Sequence, residues 1–177
     1  MRFAGLVYRA HNPRWSFAPA SGDGAARHGG RFNAISGPAL YTSWRMETAW
    51  LEVLQGLPFK AQPLTICAYD VDCADIVDLS DAASCQAHGV DAADLACPWE
   101  DIVSRGGKPP SWRIARALAD EGHAGVIVPS FAPGAGPVDR NIVFWKWSDT
   151  PPHCVRVIDD ENRLPRDTRS WDAPDPS

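Results

Sequence analysis

The sequence predicts a single domain of the α+β class. Its 177 residues suit one domain, and a chain of this length can hold a core without disulfides or metal. Short apolar runs typical of strands occur along the chain with helical segments interspersed, and the two do not alternate regularly as they do in βαβ proteins. The apolar fraction of 45% and the charged fraction of 22% are ordinary for a globular domain.

The N-terminal third predicts two strands, a long loop and one helix. Residues 11–38 are rich in Gly, Pro, Ala and Ser, and a loop of this length in a compact domain is usually functional or disordered. Ser43 has the side chain of a helix N-cap, and Gly56 and Pro58 are typical of a helix end. The predicted elements are a strand over 5–10, the loop over 11–38, a strand over 39–43 and a helix over 44–55.

The rest of the chain predicts five further strands around one clear helix. Ser111 has the side chain of an N-cap for that helix, and Gly122 is typical of its end. From about Glu161 the chain is polar and rich in proline, so we expect a domain over 1–160 and a tail over 161–177 that is disordered unless a partner orders it. The predicted elements are strands over 63–72, 75–80, 124–130, 141–147 and 154–159, one or two short helices within 81–110, and the helix over 111–122.

Charge and cysteine content narrow the function classes. A net charge of −5 and a pI of about 5.4 argue against direct nucleic-acid binding, which needs Lys and Arg to neutralise phosphates. The net charge does not exclude a local basic pocket that binds one small anion. The five cysteines include no C-x-x-C pair, which favours free buried thiols in a reducing compartment. The N-terminus has no signal-peptide pattern and no apolar run approaches about 20 residues, so we expect a cytoplasmic protein that neither spans a membrane nor binds a metal.

Three neighbouring segments carry residue types suited to a catalytic site. Glu52 lies among apolar residues of the predicted helix, and a carboxylate in apolar surroundings is costly unless it is paired or functional. An exposed face of an amphipathic helix is the alternative explanation, because at helical spacing Glu52 also shares a face with Arg45, Thr48, Ala49 and Gln55. The segments are HGGRFN (28–33), ALYTS (39–43) and METAWLEVL (46–54).

Arg31 and Tyr41 could each have either a ligand-binding role or a purely structural one. Gly29 and Gly30 allow the backbone to approach a ligand closely, and the arginine after them could bind phosphate bidentately. An ordinary loop arginine bound to a carbonyl is the alternative. Tyr41 ends a short strand before the helix, and a core tyrosine with a satisfied hydroxyl would fit there equally well.

In combination, these segments resemble the RES-domain toxins of bacterial toxin–antitoxin systems, the Xre–RES family of the ParT and MbcT kind. The combination of GGRFN, ALYTS and METAWLEV at this spacing is specific, and weaker similarity continues at GVIVPS (125–130) and NIVFW (141–145). The Arg, Glu and Ser that give the family its name correspond to Arg31, Glu52 and Ser130. Residues 80–123 carry no motif of the family.

The resemblance implies an ADP-ribosyltransferase-like fold of two β-rich layers with flanking helices, and a cleft that binds NAD+ as the substrate. Arg31 would hold the NAD+ phosphates with help from Arg9, Tyr41 would pack on the nicotinamide or its ribose, and Glu52 would accept a hydrogen bond from that ribose. The remaining residues expected in the NAD+ site are Ser130, Gly30 and Asn33. Asn141 is expected to have a structural role and Arg140 to be a second phosphate contact.

The resemblance also implies a function and a partner. We expect cleavage of the nicotinamide–ribose bond and transfer of ADP-ribose to an acceptor, a protein in the first instance. Water or phosphate as the acceptor is the alternative, and a non-catalytic nucleotide-binding or interaction module is the alternative from another class. The expected partner is an Xre-type antitoxin that covers the active site and supplies DNA binding, which agrees with an acidic toxin.

Overall fold

The computed structural model describes residues 1–54 and 62–169 of the chain. The described strands form one seven-stranded sheet in the order β4-β5-β6-β2-β1-β3-β7. The strands are β1 (Phe3–His11), β2 (Leu40–Ser43), β3 (Thr65–Cys73), β4 (Ile76–Asp78), β5 (Gly125–Pro129), β6 (Arg140–Phe144) and β7 (His153–Val157). The helices are α1 (Asp23–His28), α2 (Met46–Leu54), α3 (Ala82–Ala87), α4 (Ala92–Leu95), α5 (Trp99–Ser104) and α6 (Pro110–Asp120), with a short 3-10 helix over Pro13–Trp15.

The sheet has two halves that meet at the pair β1–β2. One half is β4-β5-β6-β2 and the other is β1-β3-β7. The β1–β3 ladder runs from Phe3 opposite Cys73 to His11 opposite Thr65, whereas β1 meets β2 with Tyr8 opposite Ser43. The α+β domain with flanking helices is thus confirmed, and the expected two β-rich layers take the form of one continuous sheet because β2 pairs with both β1 and β6.

Two hydrophobic clusters form the core. The first is built around fully buried Tyr69, Leu40 and Phe144, and the second joins α6 to β5 through residues such as Leu118 and Val128. Burial of a large apolar side chain contributes about 1.5–3 kcal/mol. The five cysteines are all free and buried, as the sequence predicted.

Both predicted serine caps are wrong. Helix α2 begins at Met46, and the hydroxyl of Ser43 donates to Asn141 Oδ1. Helix α6 begins at Pro110 with Pro109 at its N-cap, and the hydroxyl of Ser111 donates to the carbonyl of Arg31. Each serine is used in a long-range contact instead of a local cap.

Other differences lie at element ends and in loops. The loop 11–38 contains α1, and 81–110 contains three short helices instead of one or two. Strand β6 ends at Phe144, and the amides of the next two residues, Trp145 and Lys146, both donate to the carbonyl of Ala124. Gly122, with a φ of +101°, follows α6 as predicted. The predicted helix end at Gly56 and Pro58 lies outside the described residues, as do 170–177 of the expected tail, whereas Leu164 of that tail packs against the first cluster.

The helices of the described ranges are all too short or too polar to cross a membrane.

Candidate functional site

A cavity of about 740 Å³ lies where the loop after α1, the helix α2 and the start of α5 meet the sheet. This volume is within the range of pockets that bind small molecules and cofactors. Predicted site residues and residues from 98–101 and 131–133 share its wall. Its lining includes Arg9, Gly30, Arg31, Tyr41, Glu52, Val53, Trp99, Glu100, Asp101, Phe131 and Asn141.

The backbone of the loop that carries Arg31 is held by three side chains. Trp112 Nε1 donates to the carbonyl of Gly30 at 2.7 Å. The hydroxyl of Ser111, which is fully buried, donates to the carbonyl of Arg31 at 2.6 Å. Trp145 Nε1 donates to the carbonyl of Phe32 at 2.9 Å. Three consecutive carbonyls are therefore fixed by side chains from α6 and the segment after β6, which leaves the loop little freedom.

The other face of this loop packs against Tyr41. Its hydroxyl donates to Asn33 Oδ1 at 2.7 Å and accepts from the amide of Phe32 at 2.9 Å. Asn33 Nδ2 donates to the carbonyls of Ala25, Ala34 and Gly37. A Cβ on Gly30 would lie 2.5 Å from the Tyr41 hydroxyl oxygen, so the site requires glycine there. Burial raises the pKa of Tyr41 well above its usual range.

The guanidinium of Arg31 is held by neutral groups. Its Nη1 donates to the carbonyl of Cys97 at 2.5 Å and to that of Leu95 at 3.3 Å, and its Cζ lies 4.6 Å from the ring centroid of Phe131. Burial lowers the pKa of Arg31, while the negative charge of Glu52 acts to raise it. Arg31 makes no salt bridge with any residue in the described ranges, so its positive charge is not neutralised there.

Glu52 is held by neutral donors. Ser130 Oγ donates to Glu52 Oε1 at 2.6 Å, and Asn141 Nδ2 donates to the same oxygen at 2.5 Å. The residues one turn earlier, Thr48 and Ala49, are buried, so this face of α2 is not the exposed face of an amphipathic helix. Glu52 forms no salt bridge within the described part of the chain, so its carboxylate is held in the cavity by neutral donors alone.

Two donor chains end on that oxygen. The amide of Ala132 donates to Ser130 Oγ at 3.3 Å before Ser130 donates to Glu52. Ser43 Oγ donates to Asn141 Oδ1 at 2.8 Å before Asn141 donates to Glu52. Hydrogen bonds in such chains strengthen one another, and bonds to an ionised acceptor are the stronger kind.

Arg9 lies at the edge of the cavity with its guanidinium directed to a neighbouring loop. Its Nη1 donates to the carbonyls of Pro19 and Ser21, both at 2.9 Å, and burial lowers its pKa. Tyr69 donates to the same carbonyl of Pro19 at 2.7 Å. In the structure Arg9 therefore fixes the 19–21 loop beside the cavity.

The predicted residues divide into a lining group and a supporting group. Five line the cavity, while Ser130 and Asn33 do not line it and instead hold Glu52 and the Arg31 loop. Arg140 is directed elsewhere, with its Cζ 5.3 Å from the ring centroid of Trp44. The five that line it are Arg9, Gly30, Arg31, Tyr41 and Glu52.

Sequence reasoning missed several contributors. Segment 80–110, which carries no recognisable motif, supplies Trp99, Glu100 and Asp101 to the lining, and Phe131 packs on Arg31. The one available signal was the acidic and aromatic composition of 99–101. Within the described ranges, no group of three or more His, Cys, Asp or Glu could hold a metal ion.

Comparison with known proteins identifies the family. The fold is similar to that of a chain in the crystal structure of the M. tuberculosis MbcT–MbcA toxin–antitoxin complex, with a TM-score of 0.61 and 21% identity over 90% of this chain and 84% of that chain. A search of curated proteins gives no significant match. The model of the RES domain matches residues 6–167, which is most of the sequence, and the chain therefore belongs to the RES domain family.

Proposed function

We propose that this protein binds NAD+, cleaves its nicotinamide–ribose bond and transfers the ADP-ribose to an acceptor. One observation carries the proposal. A guanidinium and a carboxylate line the same cavity, and each is held by neutral groups of the protein. A ligand that carries negative charge in one part and positive charge in another would match both.

NAD+ has this charge distribution. Its pyrophosphate is anionic, and its nicotinamide ring is a cationic pyridinium attached to a ribose. Arg31 can bind a phosphate bidentately because the hydrogen bonds it makes to described residues both use Nη1. Glu52 can accept a hydrogen bond from the nicotinamide ribose, and the ring of Tyr41 offers an apolar wall beside them.

The chemistry uses the carboxylate directly. When the glycosidic C–N bond breaks, its electron pair goes to the pyridinium nitrogen and nicotinamide leaves as a neutral molecule, so no strong general acid is required. The ribosyl group is left with oxocarbenium character, and a fixed negative charge beside it stabilises that transition state. The acceptor then forms the new bond to the anomeric carbon and releases its proton to the solvent.

We propose a protein side chain as the acceptor, with water and phosphate as the alternatives. Several lining residues are exposed, among them Val53, Glu100 and Asp101, so the cavity is open to a macromolecule. We further propose that the chain is the toxin of a toxin–antitoxin pair, restrained by an Xre-type antitoxin that covers this cavity. Support comes from the fold, which is similar to a chain of such a complex, and from the net charge of −5, which leaves DNA binding to the partner.

Nicotinamide release tests the reaction. Wild-type protein should release nicotinamide from NAD+, and Glu52→Gln should lower kcat roughly 100- to 1000-fold. Glu47→Gln is the matched control because Glu47 lies on the same helix with 69% of its side chain exposed, and it should retain wild-type kcat. Binding of NAD+ without nicotinamide release by the wild type would instead indicate a nucleotide-binding module.

Adenine-labelled NAD+ in a cell lysate tests the acceptor. A labelled protein band that disappears with Glu52→Gln supports transfer to protein. Free ADP-ribose as the sole labelled product would contradict it in favour of hydrolysis, and ADP-ribose 1″-phosphate that forms when phosphate is supplied would indicate phosphorolysis. Growth arrest on expression, relieved by Glu52→Gln, would support the toxin assignment.

A further inference from the structure

The hydrogen bonds at Glu52 converge on one oxygen. Ser130 and Asn141 both donate to Oε1, and Oε2 has no hydrogen-bond partner among the described residues. We propose that Asn141 is a positioning residue for Glu52, which fixes the carboxylate so that Oε2 is the oxygen available to the substrate ribose. This inference rests on the function proposed above.

The orientation of the Asn141 amide follows from its two neighbours. Ser43 Oγ lies 2.8 Å from Oδ1 and Glu52 Oε1 lies 2.5 Å from Nδ2. If the amide were reversed, its carbonyl oxygen would face the carboxylate and repel it. An ionised Glu52 therefore requires the NH2 group on its side, and Ser43 must then supply its proton to Oδ1.

The backbone of Asn141 lies in a strand that has neighbours on both sides. Strand β6 lies between β5 and β2, and Asn141 pairs with Val128 on one side and with Ser43 on the other. Ser130, by contrast, follows the end of β5 at the start of the loop that includes Phe131. Asn141 thus links Glu52, which lies on α2, to an interior strand of the sheet, β6.

Asn141 should affect the rate more than the affinity, because it acts on the group that meets the transition state. Asn141→Ala should lower kcat about tenfold to a hundredfold, the range typical of small misplacements in active sites. The Kd for NAD+, measured on the same variant, should stay within about twofold because the Arg31 side is untouched. Nicotinamide release and isothermal titration give the two values.

Two further variants separate positioning from a general weakening of the sheet. Ser43→Ala removes the far end of the donor chain and leaves Asn141 and the ladder intact, so it should lower kcat a few-fold. Thr42→Val is the matched control: Thr42 is the adjacent residue of β2, is buried, and donates to the carbonyl of Ile142. It should retain wild-type kcat even where it lowers the melting temperature.

A spectroscopic measurement tests the hydrogen bond without activity. In the ¹H–¹⁵N spectrum of the full chain, the side-chain NH2 of Asn141 is assigned by its loss in Asn141→Ala. Glu52→Ala should move its hydrogen-bonded proton upfield, and Glu47→Ala should not. An unshifted resonance in Glu52→Ala would overturn the inference.

The kinetic outcomes are equally decisive. A kcat within twofold of wild type in Asn141→Ala, an equal loss of kcat in Ser43→Ala and Thr42→Val, or a lost affinity for NAD+ with kcat retained would each overturn the positioning role. A wild-type protein that releases no nicotinamide would overturn the proposed function itself. An active wild type with an unaffected Asn141→Ala would overturn this inference alone.

Discussion

The two sides of the cavity hold their charged groups in different ways. The Arg31 side consists of residues 29–33 with their partners from α4–α6 and after β6. The Glu52 side consists of α2, the residue after β5 and the start of β6. On the Arg31 side, side chains donate to three consecutive backbone carbonyls, and the guanidinium has its own bonds to carbonyls. On the Glu52 side, the donors reach the carboxylate oxygen itself. The Arg31 side thus mainly holds the backbone of the loop, whereas the Glu52 side holds one oxygen of the carboxylate directly.

The difference matches two chemical tasks. A phosphate-binding arginine tolerates small adjustments, because its planar group offers several donors to several phosphate oxygens. A carboxylate that stabilises a developing positive charge tolerates less displacement, since a misplacement of about 1 Å in an active site can cost roughly a hundredfold in rate. We therefore expect disturbance of the Arg31 side to be seen in NAD+ affinity and disturbance of the Glu52 side to be seen in kcat.

On the Arg31 side of the cavity, the largest effect is expected from Arg31 itself. Arg31→Ala should weaken NAD+ binding about 10- to 100-fold, since a hydrogen bond to a charged group contributes roughly 1.5–3 kcal/mol. Arg31→Lys should recover only part of the loss because an ammonium cannot bind phosphate bidentately. Arg27→Ala, an exposed arginine at the end of α1, is the control for titration calorimetry. If Arg31→Ala kept the wild-type affinity, the guanidinium would not contact NAD+.

Substitution of Gly30 tests how tightly the Arg31 side is packed. A Cβ there would lie 2.5 Å from the Tyr41 hydroxyl and 2.7 Å from Asn33 Oδ1. Gly30→Ala should therefore lower the free energy of unfolding by about 2 kcal/mol, within the range for overpacked sites. Gly24→Ala is the control for thermal unfolding, because a Cβ at Gly24 meets nothing within 4 Å. Equal stabilities of the two variants would contradict the described contact.

Ser111 gives a smaller and more selective test. Ser111→Ala removes the donor to the carbonyl of Arg31 and should cost about 1 kcal/mol of stability. The loosened loop should lower NAD+ affinity a few-fold and leave kcat unchanged, the reverse of Ser43→Ala. Paired measurements of Kd and kcat on these two serine variants would decide the comparison. A Ser111→Ala variant with normal affinity and a lowered kcat would contradict the assignment of affinity to the Arg31 side and of kcat to the Glu52 side.

These two serines also show where sequence reasoning stopped. The segments GGRFN, ALYTS and METAWLEV were enough to predict that Arg31, Tyr41 and Glu52 matter, and the structure brings all three to one cavity. Ser43 and Ser111 were both interpreted as helix caps, which is the usual local role of serine before a helix. Their hydroxyls instead contact partners separated by 98 and 80 residues, and no local pattern predicts contacts of that range.

The fold was predictable to a similar depth. Apolar runs located each strand of the described ranges, with end errors of a few residues, because such runs reflect burial directly. The continuity of the sheet depends on β2 pairing with two partners at once, which the sequence of β2 does not specify. The sequence predicted one or two short helices within 81–110, and their number and bounds were not predictable because each of the three has six residues or fewer.

The smallest expected effect is on stability and concerns His11, which lies at the end of β1 and outside both sides of the cavity. His11 has both ring nitrogens buried without a hydrogen-bond partner in the described ranges, and burial, with the charge of Arg9, lowers its pKa to about 4. The folded protein therefore favours the neutral ring, so the stability it contributes is fully present above pH 6.5 and is lost as the pH falls towards about 4.

Chemical denaturation at pH 7 and pH 4.5 measures this contribution. Wild type should lose more stability than His11→Phe over that interval, by roughly 1 kcal/mol once the partial exposure of the residue is allowed for. His88→Asn, at an exposed histidine, should follow the wild type. Since His11 lies on neither side of the cavity, its replacement should leave Kd and kcat for NAD+ at pH 7 unchanged. A His11→Phe variant with the wild-type loss of stability would show instead that the ring is already solvated in the folded state.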